Sequence, residues 1–230
     1  MKKAPNLSVI IPTRNEAQNL PLLLSDLGEL KIKSEIFIID SQSSDATKDI
    51  AIINGANYLN SPNRNRGLQL NIGAKMAKGD WLLFIHADSR LKKDWSKAIN
   101  FIFSKPDPQG IYFFKFKVDN KNLIFRFLEL FVSLRIFFFK TPYGDQGLLI
   151  HRDIFSNYGG YKNIPIMEDI DFIKRIKDKK RLVSLSTSIF TNSRKWEKKN
   201  LIIQSIINFN LRRKWRNGHS LEKIYKDYYS

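Results

Sequence analysis

The sequence predicts an α/β fold, a nucleotide-binding type with a mostly parallel central sheet and helices on both faces. Three observations point to it. Apolar strand-like runs alternate with amphipathic helical segments through the first half of the chain. The strand runs are almost continuously apolar, as expected where a sheet is covered on both sides. Acidic residues, Asp40 and Asp88, fall at or just beyond the carboxyl ends of two of these runs, where open α/β sheets bind ligands.

The elements follow in order. Ser8–Pro12 is a short β-branched run, and Glu16–Leu30 has helical periodicity. Glu35–Asp40 is a second strand, followed by a helix from about Ser44 to Ile53 and a short strand at Ala56–Leu59. Arg66–Lys78 reads as a helix ending at Gly79, and Asp80–Ile85 as the next strand. Gly110–Val118 alternates partly, which suits a strand in a mixed sheet. Asn122–Phe139 is strongly apolar but interrupted by Arg126, Glu129 and Arg135. As a helix it places Arg126, Glu129 and Ser133 on one stripe, which argues against a lipid-spanning segment. The preferred reading packs it on the sheet, and the alternative lays it on a membrane surface. Gly147–Ile150 is a further strand, Met167–Lys179 a helix, and Leu201–Trp215 a basic amphipathic helix. The expected division is one domain over 1–197 and a helical extension over 198–230.

At 230 residues the chain is long enough for one substantial core, and its 43% hydrophobic and 13% aromatic content predicts a folded protein. It has no cysteine, which excludes a disulfide framework, a Cys-ligated zinc site and a cysteine nucleophile. Pro12 and Arg14 cut the first apolar run short of a secretory core, so a cytoplasmic protein is expected. Lys and Arg number 39 against 22 Asp and Glu, a net charge of +17. That field attracts anions, whether nucleotide phosphates, nucleic acid or an anionic membrane face. The same excess also arises from a chain rich in Lys throughout.

Several chemistries are disfavoured by what is missing. No Gly-x-Gly-x-x-Gly follows the first strand, and no Gly-Lys-Ser/Thr phosphate loop is present. No serine sits in a Gly-x-Ser-x-Gly elbow, and His86, His151 and His219 are too scattered for a zinc enzyme. What remains is a set of carboxylates in loops. Thr13-Arg14-Asn15-Glu16 follows the first strand and reads equally as a capping box. Asp40 ends an apolar strand, where a carboxylate needs a partner, while Ser43 or Ser44 could cap the next helix. His86-Ala87-Asp88 follows the fourth strand, and a carboxylate there suits a hard divalent cation. Asp145-Gln146 lies between two glycines, and Glu168-Asp169-x-Asp171 opens a helix, where anions are also favoured for purely structural reasons.

Taken in order, the segments Val9–Glu16, Ile39-Asp40-x4-Asp45, Arg64-x-Arg66-Gly67-x-Gln69-x-Asn71-x-Gly73-Ala74, Gly79-Asp80-x4-Ile85-His86-Ala87-Asp88, Gly144-Asp145-Gln146 and Met167-Glu168-Asp169 form a pattern. The pattern resembles the inverting family 2 glycosyltransferases of GT-A fold, and the His-Ala-Asp and Gly-Asp-Gln forms look most like a small bacterial branch. The resemblance covers residues 7–200.

The resemblance implies a transfer from a nucleoside-diphosphate sugar to a hydroxyl acceptor, with inversion and a divalent metal, Mn²⁺ or Mg²⁺. It implies that Pro12, Thr13, Glu16 and Asp40 hold the nucleoside and that Arg66 lies along the nucleotide. Asp88 matches the carboxylate that binds the metal, and His86 stands where the family's motif has its first Asp. Asp169 corresponds to the general base. Asp145, Gln146 and Glu168 would line the acceptor or sugar pocket, Trp196 would be a sugar platform and Arg194 a diphosphate clamp. Lipid-linked acceptors are common in the family, so a peripheral position on the inner membrane face is also implied. Three other readings stand beside this one. They are a sugar-nucleotide-binding protein without transfer activity, a nucleotidyltransferase, which lacks its expected Gly-rich loop here, and a nucleic-acid-binding protein resting on charge alone.

Overall fold

The sheet grows outward from β1 (Leu7–Thr13), which runs parallel to β2 (Ser34–Asp40) on one side and β4 (Trp81–Phe84) on the other. β3 (Asn57–Asn60) adds in parallel to β2. Beyond β4 come β7 (Leu148–His151), β6 (Ile111–Val118), β8 (Leu182–Thr191) and β5 (Ser89–Leu91), completing eight strands. β5 and β7 run antiparallel to the other six. The structure is a computed structural model that describes residues 6–29, 31–92, 94–104, 109–191 and 201–229.

Side chains alternate across the strands, and the two faces are covered by different helices. Leu7, Val9, Ile11 and Leu83 pack under α1 (Leu20–Gly28), α2 (Thr47–Ile53) and α4 (Trp95–Phe103), which contribute Leu23, Leu27, Ala51, Trp95 and Ile99. Ile10, Leu82 and Phe84 pack under α3 (Arg66–Met76), α6 (Arg152–Asn157) and α7 (Glu168–Ile176), through Leu70, Phe155, Phe172 and Ile176. Each such buried Leu, Ile or Phe stabilises the fold by about 1.5–3 kcal/mol. The predicted layering, helices on both faces of a mostly parallel sheet, is what the structure has.

Two element starts differ from the sequence reading. The first helix begins at Leu20 with Asn19 as N-cap, not at Glu16. Asn15 takes the left-handed conformation (φ 54°), which ends any helical path before it, and Thr13 turns its hydroxyl to Asp40 instead of capping. The second helix begins at Thr47, and neither Ser43 nor Ser44 caps it. β5, α6 and β8 carried no clear sequence signal, whereas α4, with Trp95, Ile99 and Ile102 on one face, and the final helix, α9 (Leu221–Tyr229), are amphipathic helices that the element order above omits. β5 and α6 are too short to show a period, and β8 mixes Ser and Thr among its apolar residues.

α5 (Leu123–Phe139) lies on β6 through Phe125 and Val132, against Phe116 and Val118. Glu129, buried on that face, accepts from Val118 N at 2.9 Å, Lys117 Nζ at 2.8 Å and Arg126 Nη1 at 2.8 Å. Two of the charges that interrupt this apolar run, Arg126 and Glu129, are therefore the polar anchor that ties the helix to the end of β6. No helix among the described residues is long and apolar enough to cross a membrane.

α8 (Leu201–Arg216) and α9 form a hairpin joined by a Lys214–Asp227 ion pair at 2.8 Å. Leu211 and Ile224 bury against Ile166 and Met167, immediately before α7.

Candidate functional site

The carboxyl ends of β1, β2 and β4 lie at one edge of the sheet, so the loops that leave them converge there. β7 reaches the same edge from the opposite direction. Its first residue, Leu148, pairs with Phe84, the last of β4. The antiparallel strand thus brings Gly144-Asp145-Gln146, a 3-10 turn just before it, beside His86 and Asp88.

The loops after β1 and β2 are laced together. Thr13 Oγ1 donates to Asp40 Oδ1 at 3.0 Å, and Ser43 donates to both Asp40 oxygens, from Oγ at 2.5 Å and from N at 2.9 Å. Asn15 N donates to Ser43 Oγ at 2.7 Å, Glu16 N to Thr47 Oγ1 at 2.9 Å and Ala17 N to Asp45 Oδ2 at 3.0 Å. Ser44 N donates back to Asn15 Oδ1 at 2.8 Å. Pro12 sits in β1 opposite Ile39, and Gln69 bridges the carbonyls of Thr13 and Ile39 from α3. Tyr58 completes the surroundings of Asp40. Its own burial, then the Asp40 charge and a hydrogen bond to that carboxylate, push the phenol up to about 12. The partner that Asp40 needs is therefore threefold. Asn15, read above only as a loop residue, Ser43, read as a helix cap, and Thr47, which has no motif, all shape the site.

The acids at the start of α7 sort by partner. Glu168 is buried and takes a two-pronged ion pair from Arg66, with Nη2 to Oε2 at 3.2 Å and Nε to Oε1. Asp171 is paired with Lys162 at 2.7 Å and with Arg175 at 2.8 Å. Asp169 instead receives backbone donors, Gly144 N on Oδ2 at 2.6 Å and Ile170 N on Oδ1 at 2.8 Å. Arg66 thus lies against α7 and tethers it to α3. Gly67, one residue on, could not carry a side chain, because a Cβ there would run into the carbonyl of Lys162.

Met167, the N-cap of α7, is left-handed at φ 67°, a conformation that costs a non-glycine residue on the order of 1 kcal/mol. Packing of its buried side chain against Ile166, Leu211 and Ile224 holds it there, so the C-terminal hairpin braces the turn that aims Asp169.

Gly144 shows how close the two loops come. A Cβ built on it would lie 2.9 Å from His86 Nε2 and 3.1 Å from Asp169 Oδ2. Asp145 is half-buried, and its Oδ1, shut off from solvent, has no hydrogen-bond partner in the structure. Burial pushes its carboxyl up and the Arg135 charge opposes that, while Asp169 and Asp88 reinforce it. Gln146 is wholly buried, with Oε1 accepting from Arg135 Nη2 at 3.1 Å and Nε2 donating to Phe114 O at 3.1 Å. Arg135 stacks on Tyr143 at 3.5 Å, and Arg212 of α8 approaches the same ring at 5.2 Å. Arg194 and Trp196 lie outside the described residues.

The site therefore offers a braced two-loop cradle beside a knot of acids, Asp88, Asp145 and Asp169, with two arginines at its rim. Such crowding of carboxylates favours a bound cation or a proton acceptor, and arginines beside it suit an anionic ligand carried with a metal. The cleft around Gln109, His151 and Lys180 opens at the far edge of the sheet and shares none of these groups.

Comparison with known proteins points the same way. The family described as Glycosyl transferase family 2 matches residues 8–162. The chain is 29% identical over 178 residues to a PGL/p-HBAD biosynthesis glycosyltransferase of Mycobacterium tuberculosis, covering 74% of this chain and 68% of that one. It is 34% identical over 96 residues to the 4,4'-diaponeurosporenoate glycosyltransferase of Staphylococcus haemolyticus, 39% of this chain and only 26% of that relative. In structure it is similar to the mannosyltransferase PcManGT from Pyrobaculum calidifontis, solved with GDP-Man and Mn²⁺. The TM-score is 0.62 at 18% identity, over 83% of this chain and 57% of that one, a likeness of fold.

Proposed function

The chain belongs to glycosyl transferase family 2, and from that premise we propose that it moves a sugar from a nucleoside-diphosphate sugar to a hydroxyl acceptor with inversion. The observation that carries the reading is the sorting of acids at α7. Glu168 and Asp171 are neutralised by Arg and Lys, whereas Asp169 meets backbone N–H groups at the edge where β1, β2 and β4 end. A carboxylate held in position by such donors can accept a proton without having to break an ion pair.

In this mechanism the acceptor O–H loses its proton to Asp169 as its oxygen bonds to the anomeric carbon. The bond from that carbon to the diphosphate breaks on the opposite face, and its electron pair departs with the nucleoside diphosphate. One displacement inverts the centre. Pro12, Thr13, Glu16 and Asp40 frame the nucleoside, in a cradle made rigid by the Asn15–Ser43–Thr47 lacing. Asp145 and the Glu168–Arg66 pair wall the sugar side, and Gln146 supports that wall by fixing Arg135.

The residues present fit a divalent cation. Asp145 Oδ1 is a buried acceptor without a partner, and Asp88 and Asp169 add negative charge to its surroundings. Among the described residues no three His, Cys, Asp or Glu could hold an ion by themselves. An ion shared with donor phosphates needs only one or two protein carboxylates. Asp88 would hold Mn²⁺ or Mg²⁺, with His86 and Asp145 beside it, and a bound ion would neutralise charge on the departing diphosphate. The Mn²⁺ and GDP-Man held by PcManGT support both ligand classes. The extension over 198–230 serves, in this reading, to brace Met167.

Thermal unfolding with UDP-, GDP- and dTDP-sugars, each with Mn²⁺, Mg²⁺ or chelator, tests the reading. At a hundred times its Kd the right donor adds about 2.7 kcal/mol, a rise of about 5–11 °C in Tm, and chelator should remove most of it. No rise with any donor and metal would sink the sugar-nucleotide reading. Gly144→Ala is expected to lower transfer at least about tenfold with little change in Tm, since the new methyl displaces His86 and Asp169 by a few tenths of an ångström. Unchanged turnover would separate Gly144 from the reacting centre.

A further inference from the structure

The composition of α5 is that of a helix buried on all sides, yet only one of its faces is covered. Leu123, Phe127, Leu130, Phe131, Leu134, Phe137 and Phe138 are each 42–78% exposed. At 100° per residue they form one continuous stripe opposite Phe125, Glu129 and Val132, which face the sheet. Isolated exposed apolar residues are ordinary, but a contiguous face of this length on one helix is not.

Charge indicates what covers it. Residues 120–143 hold Lys121, Arg126, Arg135 and Lys140 against Glu129, and Glu129 is buried. α8 adds Arg212, Arg213 and Arg216, its Lys214 being paired with Asp227, and exposes Ile203, Ile206 and Phe209. A second copy would bring another +17 to the same place, whereas an anionic lipid surface complements both the apolar stripe and its basic flanks. At 17 residues, α5 suits lying in the interface plane rather than crossing it.

We infer that the uncovered face of α5 docks the protein on an anionic lipid surface. The patch is continuous with the candidate site. Phe137 and Phe138 precede Tyr143 and Gly144 by a few residues, and Arg135, from the same helix, stacks on Tyr143 beside Arg212 of α8. An acceptor anchored in that surface would meet the carboxylate cluster without leaving it. Only this last consequence rests on the transferase reading. The docking itself is measured without donor, so it can fail while nucleotide binding stands.

The test is co-sedimentation of the full chain with vesicles of neutral phospholipid alone and with about a third anionic phospholipid, at low salt, for wild type and three variants. Wild type should bind the anionic vesicles. Phe131→Glu and Phe138→Glu should each lower the partition coefficient about tenfold, the value of one buried aromatic side chain, and retain the Tm rise with nucleotide. Ile53→Glu, at an apolar site on α2 that is more exposed still, should leave binding unchanged. Equal losses at all three positions would mean that charge alone drives binding and would overturn the inference. So would absence of vesicle binding, or a dimer in light scattering that Phe131→Glu dissociates.

Discussion

Replacing Asp169 with Asn is expected to lower kcat by about two to four orders of magnitude while the nucleotide-induced rise in Tm survives. The amide keeps the shape of the carboxylate, and its oxygen can still accept from Gly144 N, so the loop before β7 should stay in place. What the amide lacks is basicity. It cannot take the acceptor's proton, and the attacking oxygen then carries that proton into the transition state. Glu168→Gln is the instructive control. It alters an acid already neutralised by Arg66, so its effect should fall on stability more than on turnover. Single-turnover measurements with saturating donor separate the cases, because binding and chemistry are then read apart. Near-normal turnover in Asp169→Asn with the fold intact would remove the base assignment. Nucleotide binding by wild type with no product from any acceptor would favour a binding protein that has kept the cradle without the chemistry.

Much of the frame was legible because it rests on local pattern. β1, β2 and β4 announce themselves as apolar runs ended by Thr13-Arg14, Asp40 and His86-Ala87-Asp88, and their parallel pairing puts those ends together. α3 was legible from its helical run before Gly79, although it stops at Met76. Its glycines show their purpose only in three dimensions, Gly67 lying against the Lys162 carbonyl. The direction of β7 could not be read, since four apolar residues carry no polarity, yet that direction brings Asp145 to the site. Nor could the Arg66–Glu168 pair, whose members stand 102 residues apart. Thr13 and Glu16 fit a capping box equally well from sequence. The tertiary contact won, because Asp40, buried at a strand end, needed donors more than a solvated helix terminus needed a cap. Left-handed Met167 had no signal at all, because methionine has no preference for that region and only the packing of α8 and α9 holds it there.

Arg66→Met should cost about 3 kcal/mol at pH 8, a fall in Tm of about 6–12 °C, and clearly less at pH 5. Burial raises the Glu168 carboxyl to about 7, with the Arg66 charge pulling it down and the Asp169 charge adding to the rise. A carboxyl raised on folding binds more protons in the native state than in the unfolded chain. Its contribution to stability is therefore complete below the unfolded value of about 4.5 and is lost as pH rises through about 7. Without Arg66 the native carboxyl rises further, so the loss continues to higher pH and the gap from wild type widens above neutrality. Below about 4.5 both proteins fold with Glu168 protonated, and only the hydrogen bonds of the pair distinguish them. Arg66→Lys should recover part of the charge but not the two-pronged geometry, and so should fall between the two. Denaturant titrations of all three proteins at pH 5 and pH 8 decide the matter. A gap of the same size at both values would mean that Arg66 supports α7 through its packing on α3, with Glu168 a bystander.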